Sequence, residues 1–280
     1  MSVKIIVDST CNAEESVMSK LQVVPLTIHF GEEEYLDGVD IDNSRFYEML
    51  IESDTLPTTS QASPGNFEQM YQKALADGSD AVVITVAGKL SGTYQSACIA
   101  AENYEGRVYV VDSGTVAIGT GILAKCALEM AQKGYSAPQI AKEIGELAGR
   151  VNLIALLDTL EYLKKGGRIS KTVAMAGSLL SIKPVVSVKN GEIQMLGKAR
   201  GSKQGNNLLC TSVQKTGVDF TRPVMLGYTG LDDSLLKKYI QDSADLWEGN
   251  CTSLPYALIG SVIGTHVGPG AIAVAYIEQN

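Results

Sequence analysis

The chain has 280 residues, of which 45% are hydrophobic and 19% are charged. This composition excludes an intrinsically disordered chain or a fibrous repeat, and the length suffices for two ordinary domains or one large α/β unit. The net charge of −8 opposes binding to nucleic acid phosphates and to anionic membrane surfaces, so we expect no nucleic acid partner.

The cysteine and histidine content limits the kind of site that the chain can build. Five cysteines lie far apart and form no Cys-x-x-Cys pair, which disfavours a disulfide framework or a zinc site and is typical of a cytoplasmic protein. Only two histidines are present, His29 and His266, so a site with three histidine ligands is impossible. We therefore predict no metal and no cofactor.

Two segments bear on targeting. The first residues carry no basic stretch followed by a long apolar one, so no signal peptide is expected. Residues 251–277 carry no formal charge, but glycines interrupt them. This pattern favours a buried strand, a glycine loop and a second strand over a membrane span.

Strands and helices alternate along the chain. Short aliphatic runs bounded by turn residues predict strands at 3–7, 23–30, 81–86, 108–111, 153–157, 224–228 and 271–277. Apolar residues at three- and four-residue spacing predict helices at 67–76, 94–101, 122–131, 140–147 and 235–246. Ser136 and Gln139 form a capping box with Pro138 in the first turn, so a helix begins there. The alternation is typical of a parallel α/β sheet.

The clearest unit is a strand at 81–86, a helix at 91–104 and a strand at 107–112, which together predict a β-α-β unit. Near Val151 the pattern changes, and the dipeptide Asn190-Gly191 between two apolar runs predicts a β-hairpin. We therefore predict an α/β protein of two domains. The N-terminal parallel α/β sheet domain spans 1–150, and the C-terminal α+β domain spans 151–280.

Positive charge is concentrated in one segment. Between Lys164 and Lys203 there are nine basic residues and one acidic residue, Glu192, so this segment has a net charge of +8. Solvated lysines on helix and hairpin faces account for such a pattern. The alternative is a docking surface for an acidic or phosphate-bearing partner.

Familiar catalytic motifs do not match. Residues 88–93 lack the spacing of a phosphate-binding Walker loop and of a G-x-S-x-G nucleophile elbow. Residues 119–124 match a degenerate dinucleotide fingerprint, but the nearest predicted strand ends eight residues earlier. A nucleotide-binding module is thus a weaker alternative.

Small hydroxyl residues in loops are the remaining candidates. Thr59 and Ser60 lie in a loop stiffened by prolines, and Ser91 and Gly92 open a helix directly after a buried strand. Hydroxyls and free N–H groups at a helix start suit an anion, although each hydroxyl alone is explained by a cap or a turn. Ser91 with His266 as its base gives the alternative of a serine hydrolase.

Several blocks of the chain match a known family in order. They are VDST at 7–10, VVPL at 23–26, PTTSQ at 57–61, LSGTYQSA at 90–97, LEYLKKGGRI at 160–169 and GTHVGPG at 264–270. With these blocks the chain resembles the DegV family, the fatty-acid-binding proteins that include the FakB subunits of bacterial fatty acid kinase.

The resemblance implies a two-domain α/β protein that holds one long-chain fatty acid in an apolar tunnel. It assigns the carboxylate to Thr59, Ser91 and His266, with Ser60 and Gly92 near the site. It also assigns Arg168 to the interaction with a separate ATP-dependent kinase subunit, which converts the bound fatty acid to an acyl phosphate. The protein itself is then a binding subunit in the cytoplasm and not an enzyme.

The chemistry of the ligand agrees with these residues. Each buried methylene contributes about 0.8 kcal/mol, so the tail supplies affinity and the head group fixes the register. Two hydroxyls and a neutral imidazole hold a carboxylate by hydrogen bonds without burying a counter-charge.

Overall fold

The computed structural model describes residues 2–169, 182–251 and 254–279. Its first sheet is parallel, with four strands in the order β2-β1-β6-β7, and a three-stranded antiparallel sheet in the order β4-β3-β5 lies beside it. The strands are β1 Val3–Asp8, β2 Gln22–Val24, β3 Thr27–Phe30, β4 Glu33–Leu36, β5 Thr58–Ser60, β6 Asp80–Thr85 and β7 Val108–Asp112. The helices are α1 Glu15–Met18, α2 Asn43–Glu52, α3 Pro64–Leu75, α4 Thr93–Ala101, α5 Ala117–Gln132 and α6 Ala137–Ala148, and a 3₁₀ turn covers Glu102–Tyr104.

The parallel sheet confirms the predicted β-α-β unit. β6 and β7 are parallel neighbours, and α4 connects them. β6 is buried from Ala81 to Thr85, as expected for a strand that is covered on both faces. The loop that follows β6 carries Ser91 to the carboxyl edge of the sheet, where ligands bind in folds of this kind.

The second sheet has six strands in the order β10-β9-β8-β13-β11-β12, and every neighbouring pair except β11-β12 is antiparallel. Its strands are β8 Val151–Leu156, β9 Ile182–Lys189, β10 Glu192–Arg200, β11 Met225–Tyr228, β12 Tyr256–Leu258 and β13 Ile272–Ile277. Over its described residues, this half has the helices α7 Glu161–Lys165, α8 Gly201–Thr216, α9 Ser234–Asp242, α10 Ala244–Trp247 and α11 Ser261–Val267. The predicted fold class and the Asn190-Gly191 hairpin are confirmed.

Two predicted elements are interrupted. Residues 23–30 form not one strand but β2 and β3, which belong to different sheets, because Pro25 between them has no N–H for a sheet ladder. Residues 235–246 form α9 and α10 instead of one helix. The break lies at Ser243, whose hydroxyl donates to the carbonyl of Tyr239 and accepts from the Trp247 indole.

The segment 251–277 differs most from its prediction. Between β12 and β13 the chain forms the helix α11, so the expected glycine loop is wrong in this place. Gly264 serves close packing instead of a turn, since a Cβ there would lie 2.7 Å from the Phe46 ring and from the Tyr47 hydroxyl. α11 thereby packs on α2, β3 and β5. The predicted division at residue 150 falls between α6 and β8, and it stays a prediction.

The largest apolar core lies between the two large sheets. It joins residues of β1 and β6 to residues of β8, β9 and β13, together with α5 and α6. Two smaller cores fill the outer faces of the two sheets. The shared core is where the chain encloses a cavity.

Candidate ligand-binding site

A cavity of about 370 Å³ lies between the two sheets. This volume falls within the range of about 300 to 1,000 Å³ that is usual for small-molecule sites. Much of its wall belongs to β8, β9, β10 and β13, where the apolar lining residues are Leu153, Ala155, Val186, Val188, Ile193 and Ala273. Its polar lining consists of Thr10, Thr59, Ser60, Gln61, Ser91, Arg168 and His266.

The apolar wall follows from strand register. Ala155 of β8 lies opposite Val186 of β9 on one side and opposite Ala273 of β13 on the other. Residues directly opposite each other point to the same face of a sheet, so all three side chains face the cavity. The two alanines leave room that larger residues would fill.

Thr59 and His266 meet at the polar end of the cavity, although 206 residues separate them in the chain. The Thr59 hydroxyl lies 2.9 Å from Nε2 of His266. Thr59 is on β5, and His266 is in the last turn of α11. The PTTSQ and GTHVGPG blocks therefore come together in space only because α11 packs against the N-terminal half of the chain.

His266 is a neutral hydrogen-bonding group at ordinary pH. Burial and, to a smaller extent, the nearby guanidinium of Arg168 together lower its pKa to about 4. Its Nδ1 is buried and has no hydrogen-bond partner among the described residues. It contacts Gly166, where a Cβ would overlap the ring. Nε2 faces the Thr59 hydroxyl, which can accept a hydrogen bond, whereas Nδ1 faces no acceptor in the part of the chain that the structure describes. The ring proton is therefore better held at Nε2.

Ser91 follows β6 and precedes α4, as predicted. Its hydroxyl lies 2.9 Å from the Thr93 hydroxyl and accepts from the Thr93 N–H at 3.3 Å. Gly92 is the cap residue of α4, and a Cβ at this position would overlap the side chain of Gln61. Gln61 in turn donates to the Ser96 hydroxyl at 3.1 Å, which fixes its amide beside Gly92.

Arg168 links two of the loops around the site. Its Nε donates to the carbonyl of Leu90 at 3.3 Å, and its Nη1 donates to the carbonyl of Gly166 at 2.7 Å. Leu90 precedes Ser91, and Gly166 touches His266. The predicted role of Arg168 toward a partner stays a prediction, and the geometry adds a structural role within the site.

Asp8 holds two cavity-lining residues, Thr10 and Val86, in position. Its carboxyl group is fully buried and accepts from the N–H and hydroxyl of Thr10 and, at 2.6 Å, from the Val86 N–H. Burial raises its pKa. Thr10 and Gln61 also line the cavity, and the sequence analysis did not predict this role for them. They belong to the VDST and PTTSQ blocks, but no spacing signal distinguishes them from turn residues.

The geometry gives the hydrolase and nucleotide alternatives no support. His266 pairs with Thr59 instead of Ser91, and no acid orients its Nδ1 among the described residues. The dinucleotide-like residues 119–124 lie inside α5, so they form no phosphate loop. Within the described ranges, no three histidine, cysteine or acidic side chains come together as metal ligands, and no helix is long and apolar enough to cross a membrane.

A two-domain α/β fold that encloses an apolar cavity, with hydroxyl, imidazole and guanidinium groups at one end, is typical of a protein that binds an amphipathic molecule. The chain belongs to the DegV family, which it matches over residues 2–279. A DegV domain-containing protein of Caldanaerobacter subterraneus is 34% identical over 281 residues, which cover 99% of each chain.

Two solved structures share the whole fold. A fatty-acid-binding DegV family protein from Thermus thermophilus has a TM-score of 0.88 at 29% identity, and the match covers 100% of both chains. A DegV lipid-binding protein from Thermotoga maritima has a TM-score of 0.87 at 27% identity, also over 100% of both chains.

Proposed function

We propose that this protein binds one long-chain fatty acid, with its carboxylate at Thr59, Ser91 and His266 and its acyl chain in the cavity between the sheets. The observation that carries the proposal is the arrangement of these three side chains on one cavity whose remaining walls are largely apolar. The ligands of the two structural relatives support the same chemistry.

The polar end suits a carboxylate better than it suits a phosphate. The Thr59 and Ser91 hydroxyls can donate hydrogen bonds to an anion without adding charge. The neutral His266 ring orients the Thr59 hydroxyl, and Arg168 supplies one positive charge nearby. A phosphate carries more charge and usually requires several cations or a row of backbone N–H groups.

The proposal extends to presentation of the carboxylate to a separate kinase subunit in the cytoplasm. In the reaction, a carboxylate oxygen of the bound fatty acid attacks the terminal phosphorus of ATP, which gives an acyl phosphate and ADP. Ser60 at the polar end is exposed, and Lys164 and Lys165 beside Arg168 are exposed as well. An exposed cationic rim next to the carboxylate would attract ATP and an acidic partner surface.

Native mass spectrometry of the purified protein tests the binding proposal. We expect a co-purified mass in the range of long-chain fatty acids, and we expect Thr59→Ala to reduce its occupancy. Thr58→Ala is the matched control, because Thr58 is the preceding residue of β5 and does not line the cavity. A bound nucleotide, or equal loss of lipid in both variants, would contradict the proposal.

The kinase role is tested with Arg168→Ala and a cognate kinase subunit. We expect reduced acyl phosphate formation while the protein still carries fatty acid, and Arg168→Lys should restore the rate only in part, because lysine lacks the planar fork of donors. Normal phosphorylation by Arg168→Ala would refute the role of Arg168, and no phosphorylation of fatty acid carried by the unmodified protein would refute the presenting role. Both results leave the binding proposal intact.

A further inference from the structure

One row of the six-stranded sheet continues beyond the cavity. Ala155, Ala273 and Gly227 lie directly opposite one another on β8, β13 and β11, so they share the face that lines the cavity. Ala155 and Ala273 line the cavity, whereas Gly227 does not. A side chain must therefore cover Gly227.

Ile259 is the cavity-lining residue that covers Gly227. A Cβ built on Gly227 would lie 2.9 Å from Cδ1 of Ile259 and 3.2 Å from Cγ2 of Ile118. Ile259 itself lines the cavity, and Ile118 is buried behind it. The Ile259 side chain thus fills the space above Gly227 and covers this residue on the side that faces the cavity.

The backbone of Ile259 is held on both sides. Its N–H donates to the carbonyl of Tyr228 at 2.8 Å, and its carbonyl accepts from the Tyr47 hydroxyl at 2.8 Å. The next residue, Gly260, donates its N–H to Asn12 at 3.3 Å. These three hydrogen bonds hold the backbone of residues 259–260 in position, so the isoleucine side chain sets the width of the cavity at this point.

We infer that Ile259, seated on Gly227, limits the width of the acyl channel and so determines how well a bent or branched acyl chain binds relative to a straight one. The inference rests on the proposed function. Shortening Ile259 joins the space above Gly227 to the cavity. A methyl group on Gly227 has the opposite effect, because it pushes the isoleucine toward the ligand.

The experiment offers delipidated protein an equimolar mixture of stearic acid, oleic acid and a methyl-branched stearic acid, and mass spectrometry measures the ratio of each bound acid to stearic acid. We expect Ile259→Ala to raise the oleic and branched ratios by about tenfold, as a few methyl groups in an apolar pocket allow. Gly227→Ala should lower both ratios. Ile259→Val removes one methyl group and should raise the oleic and branched ratios by a smaller factor than Ile259→Ala does. Because this change is small, the variant should fold even if Gly227→Ala does not.

Ile154→Ala is the matched control. Ile154 is buried on the opposite face of β8, in the outer core, so its loss destabilises the sheet without touching the cavity. Unchanged ratios in Ile259→Ala and Ile259→Val, with melting temperatures lowered as in the control, would reduce Ile259 to a packing residue and overturn the inference. If the unmodified protein binds none of the three acids, the proposed function itself is wrong and the inference falls with it.

Discussion

The polar end of the cavity and its apolar wall differ in how the chain builds them. Thr59, Ser91 and His266 come from three distant segments. Thr59 and His266 meet because α11 crosses from the second half of the chain to pack on α2 and β5, and Ser91 lines the same cavity from the loop after β6. The wall comes from neighbouring strands of one sheet, where register alone brings Val186, Ala155 and Ala273 to one face. The wall therefore tolerates exchange of one apolar residue for another of equal size, whereas the polar end depends on long-range packing.

The two regions also differ in what they contribute to binding. An apolar wall contributes affinity in proportion to the apolar area that it buries. This contribution depends on the width of the cavity but little on the exact positions of individual atoms. The polar end supplies few hydrogen bonds, but each has a fixed direction and a buried donor to satisfy. Substitutions in the two regions should thus separate affinity for the tail from recognition of the carboxylate.

The largest expected effect is on the wall. In Ala155→Leu the larger side chain extends from the apolar wall into the cavity and displaces several methylenes of the acyl chain. Fatty acid affinity should therefore fall on the order of 100-fold, about 3 kcal/mol. The variant should lose affinity for a fatty alcohol by the same factor. Fluorescence displacement measures both, and Ile154→Leu on the opposite face of β8 is the control. Wild-type affinity in Ala155→Leu would show that the acyl chain runs elsewhere.

The next effect concerns His266 and pH. The pKa of His266 falls from 6.5 in the unfolded chain to about 4 in the folded protein, so the unfolded chain binds the proton more tightly between these values. The free energy of unfolding therefore keeps its full value above pH 6.5. As the pH falls toward 4, protonation of His266 in the unfolded chain lowers this free energy by about 3 kcal/mol. In delipidated protein, His266→Gln should flatten the fall of the melting temperature over this range. An identical profile for both proteins would contradict the burial of a neutral imidazole.

Ser91→Ala tests the polar end at a smaller scale. Loss of one charge-assisted hydrogen bond costs about 1.5 to 3 kcal/mol, so fatty acid affinity should fall about tenfold or more. Affinity for the matching fatty alcohol should change much less, because it carries no charge. Isothermal titration with both ligands measures the difference. Equal losses for acid and alcohol would place the carboxylate away from Ser91.

The smallest expected effect lies outside both regions, at the tip of the β9-β10 hairpin. Lys89 and Glu192 form an exposed ion pair at 2.6 Å, next to a hydrogen bond from the Gly191 N–H to the Gly114 carbonyl. Exposed pairs contribute little and are screened by salt. Glu192→Gln should lower the melting temperature slightly at low salt and not at all at high salt. A large loss of lipid in this variant would show that the hairpin tip closes the cavity.

Local signals in the sequence predicted the parts of the fold that depend on local chemistry. The capping box at Ser136, the Asn190-Gly191 turn and the β-α-β unit around Ser91 each follow from a few neighbouring residues, and all are present. The glycines of 264–270 looked like a loop because glycine breaks helices on average, yet Gly264 is a packing residue against α2. Only the tertiary contact distinguishes these two uses.

The sequence predicted some residues of the candidate site and not others, because some of them depend on tertiary contacts. The family resemblance named Thr59, Ser91 and His266, and all three line one cavity. It did not name Gln61, whose side chain requires Gly92, or Ile259, whose position depends on Tyr47 and Tyr228. Such residues act through contacts between remote segments, which spacing along the chain does not encode.

Carbon NMR of palmitic acid, labelled with ¹³C at its carboxyl carbon and bound to the delipidated protein, locates the carboxylate directly. We expect one bound carboxyl resonance, distinct from that of the free acid, which shifts in Ser91→Ala and His266→Gln and keeps its position in Thr58→Ala. A bound resonance that titrates like the acid in water, or that ignores the Ser91 and His266 substitutions, would contradict a carboxylate held at Thr59, Ser91 and His266.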